Sequence, residues 1–591
     1  MMRNFKTCLL LLGILFSLFV GCEKLTEHEK YKRPDWLPGK LFTTVSVQQN
    51  LTLFTECLRL TGLDTIIDVS GSWSVFAPTD AAMKLYLSEN SYASISDIPL
   101  NELEKITKFH IIQNPWSLEQ LKSLGVNGWK TPEDANSNPY AYKRETILKN
   151  PNEKYWVKRG NKKEMIVTDS IISGSYKRVF TLSRKYVPIF YDAYLTSNGI
   201  TSEDYRFYFN RVYVPGNVYY AGARILQADI FAENGFVHII DRVVSPMLNA
   251  KEILEKGMDG DTYKLFLEMV YWYYPKFAPN MTATFNQPEA RLGGLADTLW
   301  DLNYAALAFN LHKERFDNIN QTLLRHNGLI APTDETFSKF IDGILTIKSG
   351  FPHWPDHKSL PTDVVDLIVA QNFKSSPIYP STSHYQKIFK GANRYHQNET
   401  DIIRKDFGSN CTFIGLKAFI PDKVFTSVTG PVFCRPIFSI FRRAMVYSGA
   451  YDAIANHKGK LYFFPISDYA LMADSSLMLK WIDEDKNTYS FMAYNRMKHQ
   501  MESIGSSTVK NWILNQVGTS TSIGSAGKEV IRTLGNRYIT WDHSNNTIQG
   551  TFPSTFGYKG DITVTNTPFP LDEPTDNGKS LTVKSWFNFG N

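Results

Sequence analysis

Few residues of this 591-residue chain have types and spacings that could do chemistry, and most of those patterns exclude more than they offer. Asp483-x-Asp485-x-Asn487 imitates the start of a calcium loop, but Thr488 stands where a turn-forming glycine is needed and Tyr494 where a bidentate glutamate is needed. His28-Glu29 lacks the second histidine of a zinc helix, and the chain contains no nucleophile elbow, no phosphate loop and no dinucleotide-binding glycine pattern between a strand and a helix. The five cysteines, Cys8, Cys22, Cys57, Cys411 and Cys434, show no CxxC spacing, so neither a zinc site nor a disulfide framework is indicated. A glycosidase carboxylate pair would come from distant positions and leaves no local signature. The sequence therefore assigns no catalytic residue, no metal ligand and no cofactor.

Aromatic clusters are the remaining candidates. Tyr271-Trp272-Tyr273-Tyr274 stands in a helical pattern, and flat rings can receive sugar rings or anchor a protein interface. Four consecutive rings cannot all face one side of a helix, so one or two should be exposed while the others pack. Phe190 and Tyr191, in the run Tyr186 to Tyr194, form a second candidate ligand or interface patch.

The elements that must position these residues belong to a multidomain chain, since 67.5 kDa exceeds what one core organises and about 100 to 200 residues per domain implies several. Hydrophobic residues at 43% and aromatics at 14% supply those cores and argue against disorder. A net charge of +6 without a dense basic run argues against nucleic acid as a partner.

Arg3 and Lys6 precede an apolar run from Cys8 to Val20, the pattern of a secretory signal over residues 1–21. The run is too short to span a membrane, which takes about 20 residues. Phe19-Val20-Gly21-Cys22 resembles a bacterial lipoprotein box, which implies lipid attachment at Cys22 and a mature protein anchored to a membrane without crossing it. Residues 22–39 are polar and charged, as a flexible tether is, and the acidic residues behind Cys22 resemble the export signal of Bacteroidetes surface lipoproteins. Asp64-Thr65-Ile66, Asp169-Ser170-Ile171 and Asp297-Thr298-Leu299 resemble O-glycosylation acceptors of the same phylum.

One phrase occurs three times: Ser74-Val75-Phe76-Ala77-Pro78-Thr79-Asp80, Gly328-Leu329-Ile330-Ala331-Pro332-Thr333-Asp334, and, more loosely, Tyr462-Phe463-Phe464-Pro465-Ile466-Ser467-Asp468. Each reads as an apolar strand ended by proline, then Thr or Ser and Asp placed to cap the following helix. A second phrase, a helix running into a strand, follows at Ile106 to Asn114, Val364 to Asn372 and Val509 to Gln516. A closing strand follows a turn at Asn234-Gly235, with weaker counterparts at Asn410-Cys411 and Asn577-Gly578.

These three boxes in order resemble the fasciclin domain family. The resemblance implies an α+β fold of three tandem fasciclin-like domains, each a two-sheet wedge capped by helices: residues 40–248 with an insertion at 115–230, 249–430 with an extension at 271–320, and a divergent 431–591. It also draws attention to His110, the position linked to adhesion in animal members. Here Phe109 replaces the tyrosine that usually precedes it, and Ile368 and Ile513 occupy the matching places, so a buried core histidine is expected. For function the resemblance implies a non-enzymatic outer-membrane surface lipoprotein, a binding or scaffold subunit accessory to a TonB-dependent transporter and its lid lipoprotein in glycan or peptide import. The alternative is a free-standing adhesin for host matrix or other cells.

Overall fold

The computed structural model describes residues 39–69, 71–122, 142–153, 155–158, 165–167, 183–257, 260–286, 298–314, 325–347, 352–391, 396–473, 475–483, 488–495, 498–520, 527–552, 562–566, 568–571 and 575–587. The signal segment 1–21, Cys22 and the tether up to residue 38 lie outside the described residues, as do residues 169–171, 297 and 484–487 and much of the 115–230 insertion. Two compact units are present. One comprises the described residues up to Lys122 together with Ala223–Ser245, and the other comprises Tyr142 to Gly222 together with Pro246 onward. The described part of the insertion between Tyr142 and Gly222 thus packs with the second unit. The architecture is mixed α+β, as the sequence implies. Among the described residues no helix is long and apolar enough to cross a membrane.

In the first unit the lead strand Trp73–Pro78 is buried from Ser74 to Pro78. Burial on both faces explains why it reads as a continuous apolar run instead of an alternating one. It pairs in parallel with the closing strand Gly235–Ile240, from Trp73↔Gly235 to Pro78↔Ile240, and antiparallel with Ile111–Gln113. A Cβ on Gly235 would stand 1.9 Å from the Trp73 carbonyl oxygen, so only glycine admits this close approach. Pro78 ends the strand, and Thr79 Oγ1 accepts from the Ala82 N–H at 3.1 Å to start the helix Asp80–Glu89.

The same three-strand arrangement recurs twice in the second unit. Asn327–Pro332 pairs in parallel with Cys411–Leu416 and antiparallel with Phe373–Lys374. Lys460–Phe463 pairs in parallel with Gly578–Thr582 and antiparallel with Val517–Ser520. Gly578 repeats the Gly235 contact, 1.9 Å from the Leu461 carbonyl oxygen. The last copy adds an antiparallel meander continuing through Lys528–Thr533, Tyr538–Asp542, Thr547–Phe552 and Ile562–Asn566, and a three-stranded sheet of Met478–Asp483, Thr488–Asn495 and Gln500–Ile504. One hydrophobic core runs through the second unit from Ala250 to Phe587. Inside it Arg442 Nε donates to Asp363 Oδ2 at 2.9 Å and the Arg442 guanidinium lies 5.4 Å from the Trp354 ring centre.

Two polar side chains per copy fasten helices to these strands. The motif aspartate does not cap its own helix, as the sequence suggested. It reaches back to the start of an upstream helix, whose first N–H groups have no partner within the helix. Asp80 accepts from the Leu53 N–H at 2.8 Å and from Thr52 Oγ1 at 2.6 Å, at the start of Thr52–Leu60. Asp334 accepts from the Leu265 N–H at 2.7 Å and from Thr262 Oγ1, at the start of Lys264–Tyr273. Asp468 accepts from the Ile440 N–H at 2.8 Å, at the start of Ser439–Ser448, and burial raises its carboxyl to about 6.

The turn asparagines form the second set. Asn234, Asn410 and Asn577 each accept through Oδ1 from a backbone N–H at the beginning of their copy: Leu41 at 3.0 Å, Ala250 at 2.9 Å and Val428 at 2.9 Å. Their Nδ2 groups donate to the carbonyls of Ile67, Leu311 and Ile454. Cys57, Cys411 and Cys434 are all buried, and burial pushes the Cys57 thiol up to about 12. Asp334→Ala and Asn410→Ala should each lower stability by about 1–3 kcal/mol in a urea titration, because each removes the side-chain partner of a backbone N–H, part-buried at Leu265 and buried at Ala250. Asp334→Asn, which keeps one acceptor, should cost less.

Candidate binding cleft

The second unit contains a cleft of about 460 Å³, within the range typical of small-molecule sites. Its first wall comes from the insertion. The strand Arg184–Phe190 pairs with Lys143–Lys149 and with Tyr219–Tyr220, then gives way to the helix Asp192–Ser197, which carries Tyr194 into the wall beside Asn198 and Ile200. Beneath the strand, Lys185 Nζ donates to Glu252 at 2.7 Å, Glu314 at 2.9 Å and the Met247 carbonyl at 2.9 Å, with Lys185 5% and Glu314 0% exposed. Glu314 also accepts from the Tyr186 N–H at 3.0 Å. Removing one partner of such a buried set costs about 3–5 kcal/mol, so the insertion strand is fixed to the body of the unit.

The second wall is the loop from Ser375 to His384, with Pro377 and the buried ring of Tyr379. Asp204, fully buried, links the two walls: it accepts from the Thr201 N–H at 2.8 Å at the start of Ser202–Phe209 and from the Ser381 N–H at 2.9 Å. At the base sits His326, 3% exposed, stacked on Phe407 at 4.5 Å and 9° and met edge-on by Tyr142, which in turn stacks on Tyr194 at 4.4 Å. Both ring nitrogens of His326 are closed off from solvent, and the Cys411 backbone lies against the ring as its polar neighbour. Burial, reinforced by the nearby Lys143 charge, holds His326 neutral, its pKa well below the usual value. Burial likewise brings Lys143 down to about 7 against the opposing pull of Glu314. At the rim stand Arg325 and His384, and burial followed by the charges of Lys374 and Lys387 lowers the His384 pKa. Among the described residues that line the cleft there is no carboxylate.

The sequence candidates divide. Phe190 and Tyr191 are core residues: Phe190 meets Tyr205, Phe209 and Phe407 edge-on at 5.2 to 5.5 Å, so neither ring is a surface platform. Tyr274 is buried as well, its hydroxyl donating to Asp366 at 2.8 Å, because it lies on the inner side of Lys264–Tyr273 just past the helix end. Half-buried Tyr273 donates to the His357 carbonyl at 2.7 Å. Tyr271 and Trp272 face outward, 38% and 58% exposed; the Trp272 ring carries Lys358 Nζ at 5.2 Å from its centre and donates from Nε1 to the Lys358 carbonyl. Cys22 lies outside the described residues.

Sequence reasoning missed the cleft residues Arg325, His326, Tyr379 and His384. The available signal was Ser375 to Ser383, a stretch with two prolines, a tyrosine and five hydroxyl side chains, the composition of an exposed loop that presents polar groups. Asp483 and Thr488 pair across two strands, and among the described residues no cluster of metal-ligating side chains occurs.

His110 follows the helix Leu100–Phe109 and is fully buried. Its Nδ1 lies 2.8 Å from the Ile106 carbonyl, and its Nε2 accepts from the Val244 N–H at 3.1 Å. It is the buried, hydrogen-bonded histidine that the sequence suggested.

Residues 49–188 match the fasciclin domain family. The match is confined to that segment, and the described fold is mixed α+β. Among solved structures it is similar to a FAS1 domain pair from the insect cell adhesion molecule fasciclin I, at 13% identity over 65% of this chain and 96% of that one, with a TM-score of 0.18. No curated protein matches the chain.

Burial lowers His110 from the ordinary 6.5 to about 4 and lowers His238 in the same unit, where the Trp116 carbonyl and Asp229 only partly oppose the effect. Below pH 6.5 the unfolded chain binds protons that these folded histidines refuse, so their stability contribution is intact above 6.5 and is lost as pH falls toward 4. Each should steepen the loss by at most about 1.4 kcal/mol per pH unit, measurable by denaturant titration at successive pH values. His110→Leu should remove its share of that slope while costing about 1–3 kcal/mol at pH 7, because the Val244 N–H is then left unpaired.

Proposed function

We propose that this protein is a lipid-anchored, surface-exposed binding and scaffold subunit of a bacterial outer membrane, non-enzymatic and accessory to a TonB-dependent importer of glycans or peptides. The carrying observation is the cleft, which the insertion and the second copy of the strand motif jointly line, with Arg325 and His384 at its rim and the hydroxyl-bearing Ser375, Ser376, Thr382 and Ser383 in its wall. A site of that make-up suits capture of a polar ligand. The basic residues, apolar run and Cys22 of the N-terminus support the anchor, and the charged stretch behind Cys22 supports display at the surface. Outward-facing Tyr271 and Trp272 support a protein contact on a separate face of the same unit. A second reading, direct adhesion to matrix or cells, is favoured by the fasciclin match at 49–188.

The decisive experiment is a gentle-detergent pull-down of the tagged protein from its native outer membrane, followed by mass spectrometry. Stoichiometric recovery of a TonB-dependent barrel with a lid lipoprotein is expected. Recovery of this chain alone, together with binding of the purified protein to matrix, would replace the importer reading with adhesion. Cys22→Ser should move the protein from the membrane to the soluble fraction in a sedimentation assay; unchanged sedimentation would refute the lipid anchor. Tyr271→Ala with Trp272→Ala should weaken partner recovery without changing the melting profile by more than about 1 kcal/mol, since exposed positions contribute little to stability.

A further inference from the structure

We infer that the outer face of the three-stranded sheet Met478–Asp483, Thr488–Asn495 and Gln500–Ile504 is a binding site for a soft monovalent metal ion, Cu(I), held by the thioethers of Met478, Met492 and Met501. Five of the 14 methionines of the chain fall between Met472 and Met501, and the sheet sorts three of them onto one side. Side chains alternate along a strand, so the inner face of a sheet defines its outer one. Phe491, Ala493 and Ile504 are buried in the core of the unit, and Leu479 packs against it. Met478, Met492 and Met501 occupy the opposite positions, with Met478 and Met501 36% and 37% exposed and Met492 half-buried.

Strand register brings the three together. Met478 stands directly opposite Met492, and Met501, opposite Tyr494, is the diagonal neighbour of Met492. Side chains directly opposite have Cβ atoms about 4.5–5.5 Å apart, and diagonal ones about 7–8 Å. A methionine sulfur lies two bonds beyond Cβ on a flexible stem, so one ion above Met492 is within reach of all three sulfurs without any movement of the backbone. The donor set then selects the ion. A thioether is neutral, polarisable and a weak acceptor, which suits Cu(I) and offers little to a hard cation that requires oxygen ligands. Exposed Lys480, two residues from Met478 on the same face, favours the same choice, because its charge repels a divalent ion more strongly than a monovalent one. Ser490 and Ser503 stand on this face beside Lys480 and the methionines, so it is not a continuous apolar surface of the kind that docks a helix or a sheet. The site lies outside the cleft and is independent of both the importer and the adhesion readings.

The test is a metal titration of the full chain labelled with carbon-13 at its methionine methyl groups. Cysteine thiols also take up soft metals, so the readout is the methyl signal of each methionine and not total uptake. The probes are Cu(I), kept reduced by ascorbate without oxygen, then Ag(I), and Zn(II) as the harder comparison. Three methyl signals, assigned through Met478→Leu, Met492→Leu and Met501→Leu, should shift together with Cu(I) and with Ag(I) and stay in place with Zn(II). Exchange of methionine for leucine conserves volume, and circular dichroism checks that each variant keeps the fold. Each single substitution should weaken the response of the other two methionines at least about tenfold, the smallest loss usual when even an outer partner of a metal ligand is removed. Met281, 65% exposed on the short helix Met281–Asn286, is the control and should not respond in the same range of metal concentration. The wild-type titration carries the test by itself should a variant lose its fold. Methyl signals at the three positions that stay unmoved by Cu(I), that move independently of one another, that move no earlier than Met281, or that move equally with Zn(II) would each overturn the inference.

Discussion

Parallel pairing of the lead and closing strands is the constraint on which the rest of this structure depends. Two parallel neighbours cannot be joined by a tight turn, so every copy must send its chain on an excursion between them. Helices, the antiparallel third strand, the insertion and the meander are all parts of such excursions. In the first two copies the pair is buried on both faces, which makes its burial energy large but gives it no polar edge for anchoring what surrounds it. That anchoring falls to two side chains just outside the strands. An aspartate after the lead strand and an asparagine before the closing strand hold the free N–H groups of helices and turns earlier in the chain.

This division explains what was legible in the sequence. The lead strands were readable because an apolar run ended by proline and followed by Thr or Ser is local information, and the three phrases mark the three places where the strand trio forms. The target of the aspartate was not readable. Asp80 and Asp334 occupy a position where helix capping is the local default, yet their partners lie upstream across a variable length of chain, and only the folded geometry selects Leu53 and Leu265. Asn234, Asn410 and Asn577 looked like turn residues for the same reason. In the aromatic run, periodicity correctly required a split between inner and outer rings, but placing Tyr271 and Trp272 outside and Tyr274 inside needed the register of the helix against the core.

The cleft was the least legible feature. Its residues come from the insertion helix, from the two positions before the second lead strand and from the Ser375 to His384 loop, and no spacing rule links these segments. What unites them is a pair of buried joints, the ion pairs of Lys185 with Glu252 and Glu314 beneath one wall and the hydrogen bonds of Asp204 between the two. Such joints add little net stability compared with apolar packing, but they penalise misplacement heavily. Their value here is positional: they hold the two walls at a fixed separation around His326.

The excursions themselves carry a lesson about how such a chain can change. Closing a longer loop costs only about 0.6 kcal/mol for each doubling of its length. The first lead and closing strands are separated by nearly twice the chain that separates the second pair, yet both keep the same strand trio and the same two fasteners. A fold organised this way can accept new segments at almost no thermodynamic penalty, provided they enter between the fasteners. The strand pair then serves as a fixed socket, and diversity of surface is free to accumulate in the chain that leaves it and returns.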